Sequence, residues 1–193
     1  GKVDTKTDKR IVFVYTGMGP IWWAMGRQLF HTEAVYREAV EKCDKYIKKL
    51  TGWSVIEELL ADEDKSRLEQ PEYAQPANFA VQVGLTELWH SYGIVPDAIV
   101  GHSVGEIAAA YASRKLDLMQ ASKVSVERSR AQQKIVGQGK MLAVGLSEEG
   151  SLKLIEKFNV KVSIAAINSH KSVTLSGEEK ELEKIDSELQ RRG

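Results

Sequence analysis

The sequence predicts an α/β protein, with a layered core of parallel strands and helices followed by a second, smaller lobe. Three observations carry that prediction. Short β-branched runs alternate with helical patterns over the first two thirds of the chain, as strand–helix–strand units do. One of these runs ends in "GHSVG" and passes at once into the alanine-rich "EIAAAYA". Near Gly137 the texture changes, and strand-like runs begin to follow each other closely.

The opening "GKVDTKTDKR" is charged and aperiodic, and residues 1–10 read as a tail or linker. Residues 11–15, β-branched and aromatic, read as a buried strand. Three glycines and a proline in "TGMGPIWWAMGRQL" mark a loop running into a helix. Within it Trp22 and Trp23 suit helix-entry packing better than a binding surface. Residues 33–50 form an amphipathic helix. Cys43 lies there at helical spacing from Ala39, Val40, Ile47 and Leu50, which makes it a small buried hydrophobe. A shorter helix is predicted over 54–69. Pro71 and Pro76 punctuate "QPEYAQPANFA", and a mostly buried helix is predicted over 77–92. Residues 97–100 read as the second strand, with helices over 105–112 and 117–135. Together, residues 11–136 form the predicted core.

From Gly137 to Gly193 the order is strand, helix, strand, strand, helix. "GQGKMLAVGLS" reads as a hinge feeding a strand, and Ser147 as the N-cap of the helix "EEGSLKLIEKF". Strands are predicted over 161–167 and 172–175. Ser176 and Glu179 have capping-box spacing for a last helix, whose apolar stripe is Leu182, Ile185 and Leu189. A ferredoxin-like lobe has this order and adds a fourth strand, so the lobe is expected to be incomplete in this chain.

Composition narrows the function classes. In 193 residues, Lys+Arg and Asp+Glu both total 27, so the formal charge is zero. Nucleic-acid binding proteins carry a basic excess, and this chain has none. With one cysteine no internal disulfide can form, which fits a reducing cytoplasm. No apolar run reaches the ~20 residues of a membrane span, so neither membrane nor nucleic acid is expected as partner.

The "GHSVG" stretch has the form of a nucleophile elbow, the strand-to-helix turn of hydrolase-like parallel-sheet cores. Such a turn holds Ser103 out from the sheet edge. Gly101 and Gly105 are needed because side chains there would strike neighbouring backbone. The following helix directs its free N–H groups and positive dipole end at the serine. The Val104 N–H is therefore a natural oxyanion donor. A G-x-S-x-G arises by chance in roughly one chain in ten of this length. What distinguishes this one is the strand before it and the helix after it.

A serine hydroxyl also needs a proton acceptor, usually histidine. His31 and His90 fall at predicted helix ends in polar surroundings. His102 adjoins Ser103, but neighbouring side chains at an elbow point apart, which by itself favours a structural role. His170 lies in a loop of the second lobe and is the best of a poor set.

The chain resembles the acyltransferase domain of modular polyketide synthases, a relative of the malonyl-CoA:acyl carrier protein transacylases. Six stretches carry the likeness in order: "VFVYTGMGPIWWAMGRQL", "PEYAQPANFAVQVGL", "GHSVGEIAAAYAS", "VERSRAQQ", "GQGKMLAV" and "IAAINSHKSVTLSG". It covers residues 11–193. The resemblance implies that Ser103 is acylated by an acyl-CoA and then gives the acyl group to the phosphopantetheine thiol of an acyl carrier protein. It places the oxyanion donors at the backbone N–H groups of Met18 and Val104. The family commonly has glutamine at the positions of Met18 and Ile21; a backbone donor tolerates the first change.

Arg128, in "VERSR", resembles the arginine that pairs with the free carboxylate of malonyl-type substrates. A planar guanidinium suits that task through two parallel hydrogen bonds. Its plain alternative is a surface salt bridge with Glu127 or another acid. Gln75 resembles a pocket-lining glutamine, with a capping role after Pro76 as its alternative. His102 is grouped with these two as substrate-binding. Val104 and "PEYAQPA" lean toward malonyl rather than methylmalonyl, with malonyl-CoA the favoured donor. The family's histidine base falls beyond Gly193, so the chain reads as a fragment without it, and His170 is not its counterpart. No bound cofactor and no metal are expected. Coenzyme A enters as the thioester substrate, and the partners are the carrier protein and neighbouring synthase domains. A serine esterase or thioesterase, or a non-catalytic fragment of a megasynthase, are the competing readings.

Overall fold

The computed structural model describes residues 10–192, and nearly all of the predicted tail over 1–10 lies outside them. The chain divides into two compact units, passing from one to the other between Lys134 and Ile135.

In the first unit, β1 (Val12–Tyr15) and β2 (Ala98–Gly101) pair in parallel, with Tyr15 opposite Gly101. The long crossover between them holds α1 (Arg27–Thr32), α2 (Ala34–Thr51), α3 (Val55–Leu60) and α4 (Pro71–Ser91). After β2 come α5 (Gly105–Ala112) and α6 (Leu118–Gln133). Tyr15, Phe13 and Ile99 join a core built mainly on α2 and α4. Val12, Val14 and Val100 on these strands are exposed. The predicted stripe of α2 is the buried one, since Ala39, Val40, Cys43 and Ile47 are all buried. Burial pushes the Cys43 thiol pKa well up, which leaves it un-ionised and inert.

Two helix boundaries differ from the prediction. The helix expected over 77–92 begins at Pro71 and runs through Pro76. At the first helical position proline loses nothing, because that N–H has no intrahelical partner. Pro76 does remove one bond, a penalty of about 3 kcal/mol in a helix interior. Residues 74–84 of α4 are all buried, and each large apolar side chain among them returns ~1.5–3 kcal/mol. Burial wins. The helix expected over 54–69 ends at Leu60, followed by a short 3-10 turn, Glu63–Lys65. The intervening "ADEDK" offers no apolar residue larger than Ala61 to bury. α6 is fixed by a capping box at Asp117 and Gln120, which the sequence reading did not pick out.

In the second unit, β3 (Lys140–Val144), α7 (Glu148–Phe158), β4 (Val162–Ser169), β5 (Ser172–Gly177) and α8 (Glu179–Arg192) form an antiparallel sheet ordered β3–β5–β4 with two helices. Ser147 caps α7, accepting from the Gly150 N–H at 3.1 Å. Ser176 does not cap α8. It pairs within β5 opposite Met141 and Ser163, and the Glu178 carbonyl accepts the first helical bonds instead. Strand pairing supplies a backbone partner on each side, which outweighs one cap. Leu182 and Ile185 are buried and Leu189 packs on the same cluster, so the apolar stripe of α8 is as predicted.

Candidate active site

Ser103 sits where β2 turns into α5, with φ of +53°. A non-glycine residue in that left-handed region carries about 1–2 kcal/mol of strain, the mark of a backbone held by its surroundings. The surroundings are visible at the two flanking glycines. A Cβ on Gly101 would fall 2.5 Å from Glu106 Cα, and one on Gly105 would fall 2.2 Å from the Tyr15 carbonyl oxygen. The turn is closed by the His102 N–H donating to the Tyr15 carbonyl at 2.9 Å. Ser103 is exposed and Val104 is buried. Among the described residues, the N–H groups of Met18 and Val104 donate to no protein acceptor. Both are free for a ligand oxygen.

The loop carrying Met18 is tied to α4 by buried amides. Gln82 Nε2 donates to the Thr16 carbonyl at 2.9 Å and Asn78 Nδ2 to the Gly17 carbonyl at 3.5 Å. One turn further, the hydroxyls of Thr86 and Tyr15 share a hydrogen bond of 2.7 Å, and burial raises the Tyr15 pKa. The His102 ring lies against this loop: a Cβ on Gly17 would stand 3.3 Å from its Cδ2.

Arg128 reaches the serine from α6. Its Nη2 donates to Ser103 Oγ at 3.4 Å, and its Nη1 to Gln75 Oε1 at 2.7 Å. The surface salt bridge weighed for it does not form. Glu127 pairs with Arg130 at 3.2 Å instead, and among the described residues no carboxylate pairs with Arg128. Gln75 is no cap, because α4 starts four residues before it; its side chain is buried and held by Arg128 and Gln132. The structure thus brings together Ser103, Arg128 and Gln75, with the free Val104 N–H one residue from the serine. His170 belongs to the second unit, between β4 and β5, and is exposed. His31 is exposed at the end of α1, whereas His90 is half-buried and stacked on Phe13.

Sequence reasoning missed Gln132, Asn78 and Gln82. A signal for the last two existed. Gln75, Asn78, Gln82 and Thr86 fall on one helical stripe inside an otherwise apolar stretch, where buried polar groups must find partners. Gln132 follows Arg128 by four residues, the helical neighbour spacing.

With the site described, likeness to known proteins becomes informative. The profile of the acyl transferase domain family matches residues 12–193. The chain belongs to that family, in its polyketide synthase branch. It is 43% identical over 175 residues to squalestatin tetraketide synthase of Phoma sp. (strain C2932), a match covering 88% of this chain and 7% of that protein. A loading acyltransferase from the avermectin modular polyketide synthase superposes with a TM-score of 0.88 at 34% identity, over 94% of this chain and 58% of the other. The acyltransferase domain from module 8 of the salinomycin polyketide synthase gives 0.89 at 31% identity, over 95% and 44%. The chain therefore spans about half the length of these solved acyltransferases. The α/β fold class is that of this family. Among the described residues no helix is long and apolar enough to cross a membrane, and no group of three His, Cys, Asp or Glu could hold a metal.

Proposed function

We propose that this chain supplies the nucleophile, the oxyanion donors and the carboxylate-recognising cation of a transacylase. A malonyl-type acyl group passes from coenzyme A to Ser103, and then to the phosphopantetheine thiol of an acyl carrier protein. One observation carries the reading: a guanidinium without a carboxylate partner stands 3.4 Å from the hydroxyl of a strained elbow serine.

In the first half-reaction Ser103 Oγ attacks the thioester carbonyl while its proton passes to a histidine, which the family resemblance places outside these 193 residues. Negative charge gathers on the carbonyl oxygen, which the N–H groups of Met18 and Val104 would hold. Collapse breaks the carbon–sulfur bond, and the coenzyme A thiolate takes up the proton. The carrier thiol then repeats the steps in reverse order, attacking the seryl ester and returning the proton to Ser103. Arg128 would grip the far carboxylate of the acyl chain; an acetyl group leaves it unpaired and is disfavoured. Malonyl over methylmalonyl rests on the residue types at Val104 and residues 71–77 alone, and one methyl is worth only ~1–3 kcal/mol.

The test is intact-mass analysis of the full-length polypeptide after brief exposure to malonyl-CoA. One malonyl adduct should appear on the Ser103 peptide, vanish in Ser103→Ala, and discharge on adding phosphopantetheinylated carrier protein. Coenzyme A release that continues beyond one equivalent without the carrier would make the protein a thioesterase, and an unmodified Ser103 would remove the catalytic reading altogether.

A further inference from the structure

Gln132 has no assigned role, yet it closes a ring of side chains around Arg128. Its Oε1 accepts from Gln75 Nε2 at 2.7 Å and from Arg128 Nη1 at 3.3 Å, while Gln75 Oε1 accepts from the same Nη1 at 2.7 Å. Both hydrogens on Nη1 are thus taken by neutral amide oxygens. Nη2 spends one on Ser103 Oγ. What remains is the Nε–H and one hydrogen on Nη2, donors on the edge of the guanidinium that faces away from Gln75 and Gln132 and that a carboxylate can accept.

We propose that Gln132 is a positioning residue for acyl selection: with Gln75 it pins one nitrogen of Arg128, so that the other edge of the guanidinium is presented to a dicarboxylic acyl group on Ser103. The inference rests on the carboxylate-gripping role of Arg128 proposed above. The chemistry of the amide explains the choice of residue. A carboxylate at 132 would also hold Arg128, but as an ion pair that cancels the charge needed by the substrate. An apolar side chain would leave Nη1 with a single acceptor, Gln75, itself deprived of its Gln132 partner, and an arginine side chain carries about 2 kcal/mol of rotamer entropy, more of which binding must then remove. A neutral acceptor fixes the cation without discharging it. Gln75 is 1% exposed, so the pinned nitrogen faces a dry, fixed partner rather than solvent.

The experiment is a competition. Full-length polypeptide receives malonyl-CoA and acetyl-CoA at equal concentration, and the ratio of malonyl to acetyl ester on Ser103 is read by mass before turnover. This ratio does not depend on how much of a variant is folded. Gln132→Met should lower it by about tenfold, the order expected for losing one hydrogen bond to a charged group. Gln132→Glu should lower it further, by neutralising Arg128 and repelling the malonyl carboxylate. Arg128→Ala serves as the reference for complete loss. If both Gln132 variants keep the wild-type ratio while Arg128→Ala collapses it, Gln132 is merely structural and the positioning role is wrong, with the arginine's role intact. If Arg128→Ala also keeps the ratio, carboxylate recognition by Arg128 fails, and the inference goes with it.

Discussion

The serine elbow and the polar stripe of α4 are fixed in the first unit by opposite means. The elbow is local: within five residues, β2 ends, Ser103 takes a left-handed φ of +53°, and α5 begins. Sterics fix it, because Gly101 and Gly105 admit backbone where any side chain would collide. The stripe is long-range. Gln75, Asn78, Gln82 and Thr86 reach partners 53, 61, 66 and 71 positions away in sequence. Hydrogen bonds fix it, each worth about 1 kcal/mol net, rising when charge is involved. The difference teaches that the position of Ser103 is written in contiguous sequence. The Met18 loop and the Arg128 guanidinium are held by tertiary contacts to one buried helix.

That contrast breaks most visibly at Gly105. In Gly105→Ala the new methyl would stand 2.2 Å from the Tyr15 carbonyl oxygen and 2.6 Å from that of Thr16, both backbone atoms of the neighbouring strand and loop. β1 must shift, so we expect a loss of about 3 kcal/mol or more in urea unfolding, and no Ser103 acylation. Near-normal stability with normal acylation would show that the elbow is not set by close approach. A smaller and opposite effect is expected at Ser103 itself. Relative to Ser103→Ala, which keeps the left-handed strain, Ser103→Gly should be more stable to urea unfolding by about 0.5–1 kcal/mol, while both lose the acyl adduct. Equal stability of the two would mean that the turn stores no strain.

The same contrast explains what was legible. Strand–helix alternation, the stripe of α2 and the elbow could be read because each is a short-range pattern with a steric or periodic cause. Arg128 could be singled out only through a family resemblance, since an arginine beside Glu127 on a helix looks like half of a salt bridge. Nothing local says that Glu127 turns to Arg130 instead. The start of α4 was misread because two prolines in six residues look like a boundary. The burial of residues 74–84, which overrides Pro76, is a property of the packed unit and not of the segment. Ser176 was misread for a related reason: a capping side chain and a strand residue look alike until the sheet partner is known.

Gln82 sharpens the comparison with the smallest change in stability. Its Nε2 holds the Thr16 carbonyl at 2.9 Å, while its Oε1 is buried and, among the described residues, has no partner. Gln82→Leu deletes that orphan oxygen, which helps, and frees the Thr16 carbonyl, which hurts; each effect is of the order of 1–3 kcal/mol. The two oppose, so the unfolding midpoint should move by no more than about 1 kcal/mol. The loop two residues before Met18 nevertheless loses its anchor. Complete removal of an oxyanion donor costs about 10²–10³ in rate, and a loosened one should cost about tenfold in the rate of Ser103 acylation. A stability near wild type with a slowed acylation step would separate the stripe's role in catalysis from its role in the core. Unchanged acylation would reduce the stripe to packing and show that the Met18 loop does not need the Gln82 anchor.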